Sequence, residues 1–342
     1  MPSTNTNQMI CSKENKLLDI FKFIAALFIV ASHCLPLVPN STINFLYGQW
    51  FFRFCVPLFF ISSGYFFSSF PKNKRIKYIK RIAIIYCFSA LLYAPFYINK
   101  GIMQFVRSAI AGYYHLWYLS ALILSLLLYF FLEETPLNKA FNKLYPFLAC
   151  LLIIIGAFYD EYRYIFHEAN NSPLVIFIGK LIKATGGHRH ALFFAFPMAL
   201  IGKYLYKHQN NIKISKTICI VLTVVSLFVS LVESLILQHF GGNDITCDIT
   251  LFNYWPAVFL FILTFSYCPQ ALETLDTRNL RKVADIIYIS HILIIWLINK
   301  LLGLKYMPNL ILVLIASIVV SYLYIRIENA INKKHKEISI RQ

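Results

Sequence analysis

The sequence predicts an all-α polytopic membrane protein of about ten transmembrane helices, and three observations predict it. Of its 342 residues, 58% are hydrophobic and only 14% are Asp, Glu, Lys or Arg, against roughly 25% in an average soluble protein. Mean hydropathy is +0.63. The apolar runs are long and continuous rather than alternating, which excludes a porin-type barrel. The length alone would allow about two soluble domains, but so few charges cannot cover their surfaces. The same composition excludes disorder, a coiled coil and a small disulfide scaffold.

A spanning helix needs about 20 mostly apolar residues. Ten stretches qualify: 17–37, 48–70, 78–99, 114–132, 144–159, 190–206, 217–240, 249–268, 283–303 and 308–327. The first exceeds a signal-peptide core and no small-x-small cleavage site follows it, so it is expected to remain as a helix. The longest connection, 160–189, contains SPLVIFIGKLIKA, which reads as an interfacial or re-entrant helix. There is no internal repeat, low-complexity tract or Gly/Ser linker. One membrane domain is therefore expected over 17–328, between a segment 1–16 and a basic tail 329–342. The eight cysteines are scattered without a C-x-x-C pair; they read as small buried hydrophobes, with no metal site.

Charge placement predicts the orientation. With both termini cytoplasmic, inside segments together with the inner ends of spans hold 22 Lys and Arg and outside segments seven; Lys22, Arg53 and Lys300, inside spans, are counted to neither side. The largest basic block is PKNKRIKYIKR at 71–81. The positive-inside rule thus accounts for the net charge of +17, which then calls for no nucleic acid. Contact with anionic lipid is the further expectation for the basic loops. The abundance of Ile, Lys, Asn, Phe and Tyr hints at an AT-rich bacterial gene, hence a multi-pass protein of a bacterial cytoplasmic membrane.

Ionisable groups inside a span are costly and mark either function or a structural pair. The first span carries Asp19, Lys22 and His33. Lys22 and His33 are eleven residues apart, about 20° beyond three turns, so they share a face about 16 Å apart in depth. Asp19, one turn from Lys22, can neutralise it. Depth bookkeeping groups other residues with His33 at the outer side: Arg53, then His115, Trp117 and Tyr118, then His188, Arg189 and His190, then Glu233 and His239. Together they suggest a polar cavity open to the outside. Glu233, about two turns below its helix end, wants a partner such as Arg53 or Arg189. His291 is expected nearer mid-depth, with Arg281 and Asp285 at the inner end of its helix.

These residues sit in an ordered set of motifs: LLDIFKFIAALFIVASH, RFCVPLFFISSGYFF, YYHLWYLSALI, HRHALFFAFPMALIG and LRKVADIIYISHILII. The set resembles the integral-membrane acyltransferase family 3 over about 17–295. The family usually has Arg where this chain has Lys22, which keeps the charge and loses the bidentate fork. Some relatives carry an appended hydrolase-like or serine racemase domain; the 342 residues here are filled by spans.

The resemblance implies transfer of an acyl group, often acetyl, from cytoplasmic acyl-CoA to a hydroxyl on an extracytoplasmic glycan or lipid-linked sugar. Acyl-CoA is then a donor substrate, and no permanently bound cofactor is expected. Lys22 is placed to meet donor phosphates. His33 is placed as general base or as a covalent acyl relay, and the sequence leaves both open. Arg53 is assigned to the donor, to a developing oxyanion or to an acidic sugar, Arg189 to the oxyanion or an acidic sugar, and Glu233, counted with His33 as catalytic, to orienting a histidine or arginine. His115, Trp117, Tyr118 and His291 are assigned to the acceptor, Trp117 and Tyr118 as aromatic faces on which a sugar can stack. The competing reading is a transporter or exporter of a small polar solute such as an amino acid, but inverted repeats of the kind many transporters show are absent.

Overall fold

The computed structural model describes residues 15–165, 191–242, 245–267 and 274–341, a few isolated positions between these, and side chains as far as 333. The described residues form an all-α polytopic membrane protein. Its α-helices are α1 (Lys16–His33), α2 (Ser41–Phe45), α3 (Cys55–Ser69), α4 (Lys72–Tyr93), α5 (Ile102–Ala111) and α6 (Trp117–Glu134). They continue with α7 (Asn138–Asp160), α8 (Phe196–His208), α9 (Lys216–Gly241), α10 (Trp255–Ser266), α11 (Arg278–Leu302) and α12 (Tyr306–Arg341). Wide π-type turns occupy Leu46–Phe51 and Ala191–Ala195.

Among the described residues, seven helical stretches are long and apolar enough to cross a membrane, not ten: Ser41–Ser69, Lys72–Phe96, Tyr114–Glu134, Asn138–Asp160, Lys216–Gly241, Arg278–Leu302 and Tyr306–Lys333. The three remaining expected spans fall short for separate reasons. Helix α1 has 18 residues and three charges, Lys16, Asp19 and Lys22. Helix α8 has 13 residues behind a π-type turn. Helix α10 has 12, because the chain from 245 to 254 is drawn into side-chain-held turns and the helix starts at Trp255–Pro256. Residues 329–341, expected as a tail, continue helix α12. The SPLVIFIGKLIKA stretch lies largely outside the described residues.

The chain divides into two compact units. One comprises 1–48, 213–219 and 261–342; the other comprises 49–212 and 220–260. In the first, α1 packs on α11 and α11 on α12. Asn15 caps α1 by accepting from the Leu18 amide at 3.0 Å. Its own amide donates to the Thr264 carbonyl at 3.0 Å, which fixes where α1 begins. Just before α11, Asp276 accepts from the Arg278 amide and guanidinium, and these bonds hold its carboxyl below the usual range. Gly303, at φ +58°, ends α11 in the left-handed conformation that glycine adopts without strain.

In the second unit α3 and α8 make the closest crossing. Gly64 and Gly202 sit at that contact, and a Cβ on either would collide with the facing backbone, at Ala199 and at Ile61 and Tyr65 respectively. Small residues let spanning helices approach where no hydrophobic driving force separates protein from lipid. The outer faces stay apolar: Ile84, Phe88 and Leu91 of α4 are 63–73% exposed, as a lipid-facing surface requires.

Candidate active site

In the first unit, the charged residues of α1 and α11 meet. Asp19 is buried and accepts three hydrogen bonds: Arg281 Nε at 3.1 Å, Arg281 Nη2 at 2.9 Å and Thr277 Oγ1 at 2.8 Å. The expected Asp19–Lys22 interaction persists as a charge interaction, and a bidentate fork from another helix takes both carboxylate oxygens of Asp19. Guanidinium geometry matches a carboxylate where an ammonium does not. Lys22 lies in the field of Asp285, Asp19 and Arg281. The four formal charges sum to zero.

Further along the same two helices, the rings of His33 and His291 lie 5.2 Å apart, their planes at 40°. His33 is half-buried. His291 is fully buried, with Nδ1 2.9 Å from the carbonyl oxygens of both Ile287 and Tyr288. Lys22, His33 and His291, scattered over 270 residues of sequence, therefore lie on two packed helices of one unit.

The second unit holds the other expected residues in separate places. Glu233 is buried, and its carboxylate accepts from the Tyr162 hydroxyl at 2.6 Å and from the Leu251 and Phe252 amides at 2.7 and 3.0 Å. Of the two arginines expected to neutralise it, Arg53 is engaged elsewhere, in an ion pair with Asp248 and a hydrogen bond to Gln49, and Arg189 lies outside the described residues. Burial and the Glu233 carboxylate both push the Tyr162 phenol up from its ordinary range. Glu161 repeats the arrangement, accepting from Thr246 Oγ1 at 2.6 Å and the Asp248 amide at 3.2 Å. Two buried carboxylates thus hold the 245–254 connection by its amides and hydroxyls. Within it Cys247 is fully buried at φ +49°, and burial pushes its thiol up to about 12.

His115 is buried edge-on against Tyr93, with ring centroids 4.9 Å apart. Trp117 and Tyr118, expected as a sugar-stacking platform, are half-buried in an aromatic cluster; Tyr118 lies 4.7 Å from Phe60, and Trp117 packs on Phe60 and Phe194. Arg189, with His188 and His190, lies outside the described residues. His239 is exposed at the end of α9.

One buried ionic site escaped the sequence reading. Lys203, counted there among the inside cations at the end of the 190–206 span, is 1% exposed on α8. Its Nζ lies 2.6 Å from Glu133 and 4.1 to 4.9 Å from the ring centres of Phe141, Tyr129 and Tyr145. Arg75 pairs with the same carboxylate and donates to the Phe67, Phe70 and Ser68 carbonyls. The available signal was aromatic: three rings on α6 and α7 can cage a cation. The Tyr162–Glu233 and Thr246–Glu161 contacts had no signal, being set by loop geometry.

A family model described as an acyltransferase domain matches residues 15–326. The chain is 31% identical over 243 residues to an amino-acid racemase of Enterococcus faecalis, covering 65% of this chain and 32% of that protein. It is 30% identical over 279 residues to a serine/alanine racemase of Enterococcus gallinarum, covering 75% and 38%. A second amino-acid racemase of Enterococcus faecalis is 25% identical over 351 residues, covering 94% and 47%. The chain thus spans less than half the length of these curated relatives. No solved structure matches it.

Proposed function

The chain belongs to the integral-membrane acyltransferase family 3, and on that premise we propose that it moves an acyl group, as acetyl, from cytoplasmic acyl-CoA to a hydroxyl of an extracytoplasmic glycan or lipid-linked sugar. The observation that carries this reading is the match itself. It runs from the cap of α1 into α12, so the membrane body is an acyltransferase-type body. The proposed orientation has both termini in the cytoplasm, from the 22:7 distribution of Lys and Arg.

On this reading His33 takes the proton of the acceptor hydroxyl. The freed oxygen attacks the thioester carbonyl, the C–S bond breaks, and the proton goes to the departing CoA thiolate. In the relay version, His33 nitrogen first takes the acyl group and the hydroxyl then removes it. Lys22, toward the other end of α1, faces the donor phosphates. The relatives named as racemases support a second reading, in which the membrane body moves a small polar solute such as an amino acid.

The test uses the full chain in lipid nanodiscs with radiolabelled acetyl-CoA and a membrane extract as acceptor source. The proposal expects CoA thiol release and label in the glycan or lipid fraction. No donor consumption by wild type, together with serine uptake by proteoliposomes, would replace the enzyme with the transporter.

A further inference from the structure

The His33–His291 pair has a geometry that assigns the second ring a different task from acceptor binding. His291 Nδ1 lies within hydrogen-bond distance of two carbonyl oxygens, those of Ile287 and Tyr288, one turn back on its own helix. A carbonyl oxygen only accepts, so Nδ1 carries the hydrogen, and in the neutral ring Nε2 is the acceptor. The same two contacts fix the ring against its own backbone. The ring is fully buried, on a helix that also buries Ile287, Ile294 and Ile295. His33, half-buried, comes to this ring from the neighbouring helix.

We propose that His291 is the positioning residue of His33: the two rings, 5.2 Å apart across α1 and α11 and not hydrogen-bonded to each other in the structure, close by a small rotation of the half-buried His33 into a pair in which the Nε2 lone pair of His291 accepts the N–H of His33. That fixes the tautomer of His33 and leaves its other nitrogen as the base or acyl acceptor. When His33 takes the hydroxyl proton it becomes an imidazolium, whose second N–H stays on His291. The proton then leaves with the CoA thiol, and His291 never changes protonation state. This is the logic of a base oriented by a third group, with a neutral ring in place of the more familiar carboxylate. The inference rests on the proposed role of His33.

The primary readout does not need activity. In protein labelled with ¹⁵N-histidine and held in nanodiscs, His291 is expected as the Nδ1–H tautomer, with its Nε2 shifted as an acceptor. His33 is expected as a single tautomer in wild type, as a mixture in His291→Phe, and as a single tautomer again in His291→Gln, whose side-chain carbonyl restores an acceptor. An unchanged His33 signal in folded His291→Phe overturns the proposal. If His291→Phe does not fold, loss of the single tautomer in folded His291→Gln overturns it instead.

Kinetics supply the second readout. His291→Phe should lower kcat for acetyl-CoA consumption by at least about tenfold, below the range for losing the base itself, with KM for the donor unchanged and with substantial rescue by Gln. In the His33→Ala background the same substitution should cost nothing further; an equal loss there means a structural role and overturns the proposal. Wild type that consumes no donor while showing the expected histidine signals would fault the enzymatic reading and leave the ring pair standing.

Discussion

Asp19 and Glu233 are two carboxylates buried to the same degree, 5% and 6% exposed, each accepting three hydrogen bonds, in different units of the chain. Their donors differ in kind. Asp19 takes a guanidinium fork and a hydroxyl; Glu233 takes a phenol and two main-chain amides. The first arrangement offsets a charge with a charge and ties two helices together. The second disperses a charge over neutral dipoles and sets the path of a connection. Membrane depth alone could not separate the two cases, because both satisfy the requirement that a buried charge be compensated. The difference teaches where chemistry belongs. A carboxylate that holds two amides of its own loop cannot exchange a proton without releasing that loop, whereas the His33–His291 pair disturbs no loop when His33 changes protonation.

The largest effect expected from that contrast is on turnover. His33→Ala should insert and fold, yet lose acyl transfer by at least about 10². Mass spectrometry of wild type held with acetyl-CoA alone then separates base from relay, through an acyl adduct on His33 or its absence. Near wild-type transfer by the folded variant would remove His33 from the reaction.

Next comes the ionic half of the comparison. Arg281→Ala leaves Asp19 buried with Thr277 alone of its three hydrogen bonds, and a carboxylate stripped of its partner is costly. Because the Arg281 side chain is 46% exposed, the expected loss is reduced by solvent screening to about 2 kcal/mol. Thermal unfolding in detergent measures it. Asp19→Asn with Arg281→Ala together should recover part of the loss, since the uncompensated charge is then gone; no recovery would mean that the fork does not act as a pair.

Lys22 sharpens the donor assignment. Its cluster is neutral in sum, so a donor phosphate must compete with Asp285 and Asp19 for the ammonium. Lys22→Ala is expected to raise KM for acetyl-CoA by about tenfold, the scale of one hydrogen bond to a charged group, with Lys22→Arg retaining activity. Asp285→Asn, which removes a competitor, should lower KM. If both substitutions leave KM unchanged, Lys22 serves the helix pair and not the donor.

The sequence carried the fold class well because the membrane imposes it: long apolar runs and a shortage of charge leave few alternatives to a helical bundle. It overcounted spans for local reasons. Asp19 and Lys22 made the first run look like a normal span with functional groups, although three charges in 18 residues take α1 outside the usual apolar composition. At 249–268 the apolar count ran through Thr250–Tyr254, where the Glu233 carboxylate binds the Leu251 and Phe252 amides instead of letting them coil. Helical spacing placed Lys22 and His33 on one face, but it could not reveal that Arg281 stands near Lys22 and His291 near His33, 258 or more residues away in sequence. Glu233 was read as seeking an arginine because side-chain charge is visible in a sequence and free main-chain amides are not. Trp117 and Tyr118 looked like a platform because nothing in their own segment announces Phe60 and Phe194.

Loss of a loop bond is a smaller effect than loss of a buried ion's partner. Glu233→Gln keeps one acceptor oxygen and turns the other into a donor facing an amide. It should destabilise by about 1–3 kcal/mol through the 245–254 connection, while transfer in the folded fraction stays near wild type. A loss of turnover on the scale of His33→Ala, with unchanged stability, would return Glu233 to the reaction.

The smallest effect reads the same connection through Cys247. The residue is fully buried, and its thiol, raised by burial to about 12, is almost entirely protonated at pH 8. The thiolate is the reactive form, so protonation and burial act in the same direction against alkylation. In a variant whose other seven cysteines are serine or alanine, Cys247 should resist a maleimide at pH 8, and raising the pH to 9 should still leave it protonated. Glu161 holds the chain on either side of it through Thr246 and the Asp248 amide. Glu161→Gln should therefore loosen the turn, let water reach the thiol and speed labelling several-fold without unfolding the protein. Rapid labelling of Cys247 in the unaltered connection would show that the two carboxylates do not hold the chain there, and the contrast between Asp19 and Glu233 would lose its second half.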